Sequence, residues 1–386
     1  MSLDLLELER RLIGFDTVSR NSNLALTDFV AEVLGKLGLE VRTFHSRDGG
    51  KANVFATLGP RDVGGLMLSG HTDVVPVEGQ AWDSDPFRLT ERDGRFYGRG
   101  TADMKSFIAQ SILAAEAVRH QKLKRPLHLA FTYDEEVGCY GAVGLVRGLT
   151  AGKHVLPQCA VIGEPTNFQV FNKHKGYTVC RVGITGVEGH SSKPTKGANA
   201  IVQAAKVIEK LLEVGAERQT HRSQEADFEL PYTTVNVGTI TGGTAVNIIP
   251  NRCEVRFEYR TMPGEDLSYV FNQIKGYVNE VLLPDFRKQQ PEVNIEVVEE
   301  VRSPPMLTPA GSMIEALALE LTGNRRTGSA PYYTEGAIYN GAGIPTVICG
   351  PGDIDQAHRP NEFISRQQLD QGLPFLGRLI QRVCQA

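Results

Sequence analysis

The sequence predicts an α/β domain with a mixed, largely parallel sheet flanked by helices, interrupted by an inserted ferredoxin-like α+β domain. Three observations predict it. From Leu3 to Ile162, short apolar strand-like runs alternate with helix-periodic segments, the pattern of an α/β layer. After Gly176 the pattern shifts to polar–apolar alternation, as half-exposed strands show. Ser303-Pro304-Pro305 then marks a break, after which the first pattern resumes. At 386 residues the chain is long for one core and comfortable for two. The boundaries read are 1–175 with 303–386 for the first domain and 176–302 for the insert.

In order, Leu3–Ile13 and Leu26–Leu37 have helical apolar spacing, and Glu40–Phe44, Asn53–Leu58 and Gly65–Ser69 read as short strands. Lys105–Arg119 is a long helix; Leu127–Thr132 and Cys159–Ile162 are apolar strands. The insert runs strand Tyr177–Thr185, helix Ala198–Glu213, strands Thr233–Thr241 and Arg252–Thr261, helix Leu267–Val281 and strand Val293–Val301. That β-α-β-β-α-β order is the split βαβ unit. Helix Ser312–Thr322, strand Thr346–Cys349 and helix Gln367–Val383 complete the first domain.

Composition narrows the function classes. The 41 Lys and Arg against 45 Asp and Glu give a net charge of −4 with no basic block, which argues against a nucleic-acid surface. No apolar stretch reaches the ~18 residues of a membrane span. The start, MSLDLLELERRL, lacks the basic and uninterrupted apolar parts of a signal peptide. The six cysteines are scattered, with no C-x-x-C, so neither a disulfide framework nor a structural zinc knot is indicated. A reducing, cytoplasmic setting is the expectation.

The residues that can carry chemistry follow strands, where open α/β sheets place their ligands. Leu66–Ser69 runs into Gly70-His71-Thr72-Asp73. A His at a strand end with an Asp two positions on suits a metal ligand and its orienting carboxylate. Asp103, in Gly98-Arg99-Gly100-Thr101-Ala102-Asp103-Met104-Lys105, taken alone reads as a helix N-cap. Leu127–Thr132 ends in Tyr133-Asp134-Glu135-Glu136, whose adjacent acids offer one metal ligand and one general base. Cys159–Ile162 ends in Gly163-Glu164-Pro165, and Thr346–Cys349 leads into Gln356-Ala357-His358-Arg359-Pro360. Two His, one Asp and two Glu are nitrogen and oxygen donors that suit zinc, with cobalt or manganese as substitutes. Five ligands with one shared carboxylate are the stoichiometry of a two-metal site.

The segments SGHTDVVP (69–76), GRGTADMK (98–105), TYDEEVG (132–138), GEP (163–165), GHSS (189–192) and His358 resemble a two-metal zinc deacylase and peptidase family. That family includes acetylornithine deacetylase, succinyl-diaminopimelate desuccinylase, aminoacylase-1 and carboxypeptidase G2. The resemblance implies His71 and Glu164 as the outer ligands of one metal, and Glu136 and His358 as those of the other. It implies Asp103 as the bridging carboxylate, followed by a cis peptide bond, Glu135 as general base, and Asp73 as the partner of His71. It makes 176–302 a lid and homodimerisation domain whose His190 reaches the partner's active site to stabilise an oxyanion. Asn247, Arg260 and the N–H of Gly350 sit where the family binds substrate, Arg260 as a fork for an α-carboxylate. Glu258 departs from the family's usual Asp two residues before that arginine.

Two stretches resemble the acetylornithine deacetylase branch in particular: Asn172-Lys173-His174-Lys175-Gly176, and Tyr333-Thr334-Glu335-Gly336 with 350–363, Gly-Pro-Gly-Asp-Ile-Asp-Gln-Ala-His-Arg-Pro-Asn-Glu-Phe. The resemblance implies metal-dependent hydrolysis of N2-acetyl-L-ornithine to ornithine and acetate, in arginine biosynthesis, by a water that two divalent ions activate. Glu335 is expected to face the cationic amine of the substrate side chain; a helix-start acid with no substrate contact is the plain alternative. The rivals are a deacylase of acetylcitrulline, acetylmethionine or succinyl-diaminopimelate, a dipeptidase, and a non-catalytic binding protein.

Overall fold

A nine-stranded mixed sheet organises the first of two units in a computed structural model of the chain. The structure describes residues 3–152, 154–223 and 227–385. The first unit is Met1–Lys173, Leu307–Ala330 and Thr334–Ala386; the second is His174–Met306 with Pro331–Tyr333. The main path of the first sheet is Glu40–His45, Ala52–Leu58, Leu127–Thr132, Leu66–His71, Cys159–Pro165, Thr346–Gly350, then Phe171–His174. Its four central strands, from Leu127–Thr132 to Thr346–Gly350, run parallel. Every residue in them is buried. That is why they read as unbroken apolar runs: helices cover both faces of a parallel sheet.

The helix Lys105–Val118 contributes Phe107, Ile108 and Ile112 to the same core as Leu68, Leu129 and Val161. Burial of each such side chain contributes roughly 1.5–3 kcal/mol. The packing leaves no room for a side chain at Gly163, where a Cβ would lie 1.9 Å from the Phe107 ring. Because the central strands are parallel, their carboxyl ends share one edge of the sheet, and the chemistry-bearing turns meet there.

The second unit is an antiparallel sheet in the order Thr234–Gly242, Arg252–Arg260, Tyr177–Thr185, Asn294–Ser303. Along Tyr177–Thr185 buried residues alternate with partly exposed ones, the period-2 signal of the sequence. Cys180, Val182, Ile184, Val255 and Phe257 pack on Val207 and Leu211 of the helix Ala200–Thr220, capped by Asn199. The second helix starts at Tyr269 and runs past the predicted Val281 to Arg287, through a π turn at Val278–Leu282. Pro284 has no N–H to donate, and the helical ladder shifts just before it.

Candidate metal centre

His71 is the last residue of its strand, and its Nδ1 lies 2.8 Å from the backbone oxygen of Asp73. A carbonyl can only accept, so Nδ1 carries the proton and the lone pair of the neutral ring is on Nε2. That Nε2 faces Asp103 Oδ1 at 2.9 Å and Glu164 Oε1 at 3.9 Å. A lone pair directed at two carboxylates calls for a cation between them, either a proton on the ring or a metal ion.

Asp103 presents its other oxygen to His358, with Oδ2 3.4 Å from Nε2. The same Nε2 is 3.1 Å from Glu136 Oε2. Two groups result, His71–Asp103–Glu164 and Asp103–Glu136–His358, with ligand atoms within 4.8 Å of one another in each. Asp103 belongs to both. It is not the helix cap: Met104 holds that position, and the Asp103–Met104 peptide bond is cis. The set fits two divalent ions. It contains no Lys or Arg, Asp103 and Glu164 are buried and Glu136 partly so, and Glu164 Oε1 has no hydrogen-bond partner among the described residues.

The electrostatics agree. Burial, then the Glu164 charge, holds Glu135 well above the usual carboxylate range; burial, then Asp103, does the same to Glu164. Burial and Asp103 also raise Glu136. Hydrogen bonds to Asp103 and Glu136 push His358 up to about 10. Each shift expresses one fact: carboxylates crowd a water-poor space and draw positive charge.

Asp73 organises the turn that carries the acids. Its carboxylate accepts the backbone N–H groups of Glu135 at 3.0 Å and Glu136 at 3.3 Å, and the hydroxyl of Ser19 at 2.7 Å. Its contact with His71 runs through the backbone oxygen, with the carboxylate 3.7 Å from Nδ1. Glu135 is buried, and Cys139 Sγ lies 3.6 Å from its Oε1.

A second clamp, with no role assigned from sequence, holds Asp103. Glu362 Oε1 accepts the backbone N–H groups of Gly100, Ala102 and Asp103 at 3.1, 2.9 and 3.0 Å. Its Oε2 accepts from Arg99 at 2.7 Å, and both side chains are 1% exposed. The signal was present in that Arg99 and Glu362 each sit in a quoted motif, but their pairing joins positions far apart in sequence.

Two other expected residues belong to the first unit. Glu335 is buried and accepts from Ser69, Thr132 and Tyr339. Gly350 N donates to Thr166 Oγ1 at 3.1 Å. In the second unit, His190 forms a two-residue strand with Gly189, paired to Ile248–Ile249. It is exposed, and its Nδ1 accepts from Ser192 Oγ at 2.8 Å, leaving Nε2 free to donate. Asn247 is exposed beside it, its backbone oxygen bonded to Ser191 N at 3.1 Å. Arg260 ends its strand with its guanidinium 4.3 Å over the Tyr177 ring and an ion pair to Glu258 at 3.3 Å.

Comparison with known proteins gives the family of the chain. Residues 67–382 match the model of peptidase family M20/M25/M40. The chain is 36% identical to the acetylornithine deacetylase of Pasteurella multocida (strain Pm70) over 98% of both chains. It is likewise 36% identical to that of Proteus mirabilis (strain HI4320), over 99% of this chain and 97% of the relative. Among solved structures, an M20 family metallo-carboxypeptidase from Sulfolobus solfataricus superposes with a TM-score of 0.81 at 18% identity, covering 98% and 99% of the two chains. A dinuclear metal-binding peptidase of the M20 family from Bacillus subtilis gives 0.68 at 16% identity, over 97% and 96%. By near-full-length match in sequence and in fold, the chain belongs to peptidase family M20/M25/M40 and is a metal-dependent amidohydrolase.

Proposed function

We propose that the chain hydrolyses N2-acetyl-L-ornithine to L-ornithine and acetate, serving arginine biosynthesis in the cytoplasm. The observation that carries the reading is the pair of ligand groups sharing Asp103, with the buried Glu135 next to Glu136 in the same turn. The near-full-length relatives named acetylornithine deacetylase support the substrate. The donor set suits zinc, with cobalt as a substitute. Two such ions, held by His71, Asp103, Glu136, Glu164 and His358, would polarise the acyl carbonyl and lower the pKa of water from 15.7 to about 7.

The chain's own residues do the rest. Glu135, with its proton affinity raised by burial and by Glu164, takes a proton from the attacking water and delivers it to the leaving amine. Asp73 holds the backbone of Glu135 and Glu136 still while this happens. Residues 1–175 and 303–386 form the catalytic domain, and 176–302 the lid through which the chain dimerises. His190 offers a free Nε2 to the oxyanion in the partner's site, Asn247 and Arg260 hold the substrate, Arg260 by its carboxylate, and the N–H of Gly350 adds a carboxylate contact.

The test is amine release by the zinc- or cobalt-loaded protein offered Nα-acetylornithine, acetylcitrulline, acetylmethionine and N-succinyl-diaminopimelate side by side. A kcat/KM preference for acetylornithine of about tenfold or more, roughly 1.4 kcal/mol, lost on chelation, is expected. A metal-dependent preference for another substrate would discard the specificity and keep the mechanism. One observation favours that second reading, a deacylase of an uncharged N-acyl amino acid: the oxygens of Glu335 are already taken by three hydroxyls.

A further inference from the structure

We infer that Glu335 is a positioning residue of the metal centre, tying together the two strand ends that carry His71 and the Glu135–Glu136 turn. The residue is 1% exposed and holds the N-cap position of the helix Gly336–Gly341, but its side chain makes no capping hydrogen bond there. Its Oε2 accepts from Ser69 Oγ at 3.2 Å and from Tyr339 Oη at 3.2 Å, and its Oε1 accepts from Thr132 Oγ1. Ser69 Oγ and Tyr339 Oη are 2.9 Å apart, which closes a ring of three polar groups. Ser69 lies two residues before His71, on the same face of the strand. Thr132 is the cross-strand partner of His71 and the last strand residue before Tyr133–Glu136. One carboxylate therefore grips both strands at the level where they deliver side chains to the metal centre.

Two physical points set this apart from ordinary packing. An ionisable group is a costly filler for a core space that Leu or Met would occupy, unless its hydrogen bonds serve a purpose. The donors to Glu335 are neutral hydroxyls from two strands and a helix, and among the described residues none of its hydrogen bonds comes from Lys or Arg. A carboxylate can accept from three sides at once, whereas an amide has one acceptor oxygen and two N–H groups. The positive charge that balances it is the pair of ions the neighbouring groups would hold.

This inference rests on the metal-hydrolase reading and gives Glu335 a role other than contact with a substrate amine. The test compares wild type with Glu335→Gln, and with Tyr339→Phe, which removes one donor and keeps the carboxylate. Zinc affinity of the metal-free protein is read by chelator competition, and kcat and KM of the zinc-loaded protein on acetylornithine and acetylmethionine. Residues that orient metal ligands typically change affinity or activity by about 10–100-fold. Glu335→Gln should weaken zinc by about that factor and lower kcat on both substrates equally, with KM little changed; Tyr339→Phe should move both readouts the same way, by less. Zinc affinity within about twofold of wild type would overturn the inference. So would a loss confined to acetylornithine and expressed in KM, which would make Glu335 a substrate contact. If wild type turns over neither substrate, the functional reading fails while the zinc comparison still decides the role of Glu335. If Glu335→Gln does not fold, unchanged zinc affinity and kcat in Tyr339→Phe overturn the inference by themselves.

Discussion

Replacing Glu362 by alanine should destabilise the first unit by about 3–5 kcal/mol. The carboxylate holds three backbone N–H groups at 2.9–3.1 Å and the Arg99 guanidinium at 2.7 Å, and both members of the ion pair are 1% exposed. Removing one partner of a buried pair leaves the other charge unpaired in a poor solvent, which costs ~3–5 kcal/mol. Each orphaned N–H adds ~1–3 kcal/mol where water cannot reach it. Water entering the vacated space offsets part of that, so the ion-pair figure is the working estimate. The assay is urea unfolding followed by fluorescence of Trp82, the chain's single tryptophan, whose ring lies 5.0 Å from the Arg99 guanidinium carbon. The double variant Arg99→Met/Glu362→Leu should lose less than the sum of Arg99→Met and Glu362→Leu, because no charge is left stranded. A Glu362→Ala cost below about 1 kcal/mol, or strict additivity in that cycle, would refute the clamp and with it the claim that Glu362 fixes Asp103.

Three further outcomes follow from the same geometry. Glu135→Gln should lower kcat by about 10²–10⁴-fold while both metal ions remain bound; a loss of metal in parallel would point to a ligand instead of a base. His128 should make the fold acid-sensitive: its Nδ1 is 3.0 Å from Thr57 Oγ1, its Nε2 has no partner among the described residues, and burial lowers its pKa to about 4. Below pH 6.5 the unfolded chain takes the proton and the folded chain does not, so stability present above pH 6.5 drains between about pH 6.5 and 4, by on the order of 3 kcal/mol. In His128→Gln the fall in urea midpoint over that window should shrink, and an unchanged fall would remove His128 as its cause. Mixed dimers of a Glu135→Gln chain with a His190→Ala chain should regain activity that neither homodimer has, if His190 serves the partner's site; no regain would place His190 in its own site or outside the chemistry.

The fold class was legible because its signals are strong and local. The four central strands are buried throughout and read as unbroken apolar runs, and Tyr177–Thr185 alternates in the structure as it does in the sequence. The helix Tyr140–Ala151 was not legible. It carries Gly141, Gly144 and Gly148, which lower helix propensity. In the structure that spacing is a packing device: a Cβ at Gly141 would lie 2.3 Å from the Tyr133 carbonyl, and one at Gly148 would lie 2.4 Å from the Phe44 ring. Tertiary contact overrides local preference there.

Of the five side chains read as metal ligands, His71, Glu136 and Glu164 lie at or just beyond the ends of parallel strands, while Asp103 and His358 come from loops, that of Asp103 held by Glu362. What holds them there was not legible. Glu335 meets Ser69 across 266 positions and Thr132 across 203, and Glu362 meets Asp103 across 259. A buried acid whose partners lie mostly at distant positions leaves little local pattern, and the one near partner, Tyr339 four residues after Glu335, does not show it. Asp103 shows the opposite ambiguity: its local context argued for a helix cap, and only the distant His71 and His358 show what its two oxygens face.

The account turns on Asp103 belonging to two ligand groups at once. The most direct measurement is metal stoichiometry after dialysis against zinc at limiting free concentration, for wild type, Asp103→Asn and Glu164→Gln, alongside folded-state spectra. The account predicts two ions per chain in wild type, about one in Glu164→Gln, and loss from both groups in Asp103→Asn. A single ion in wild type, or an Asp103→Asn protein that keeps two, would contradict it.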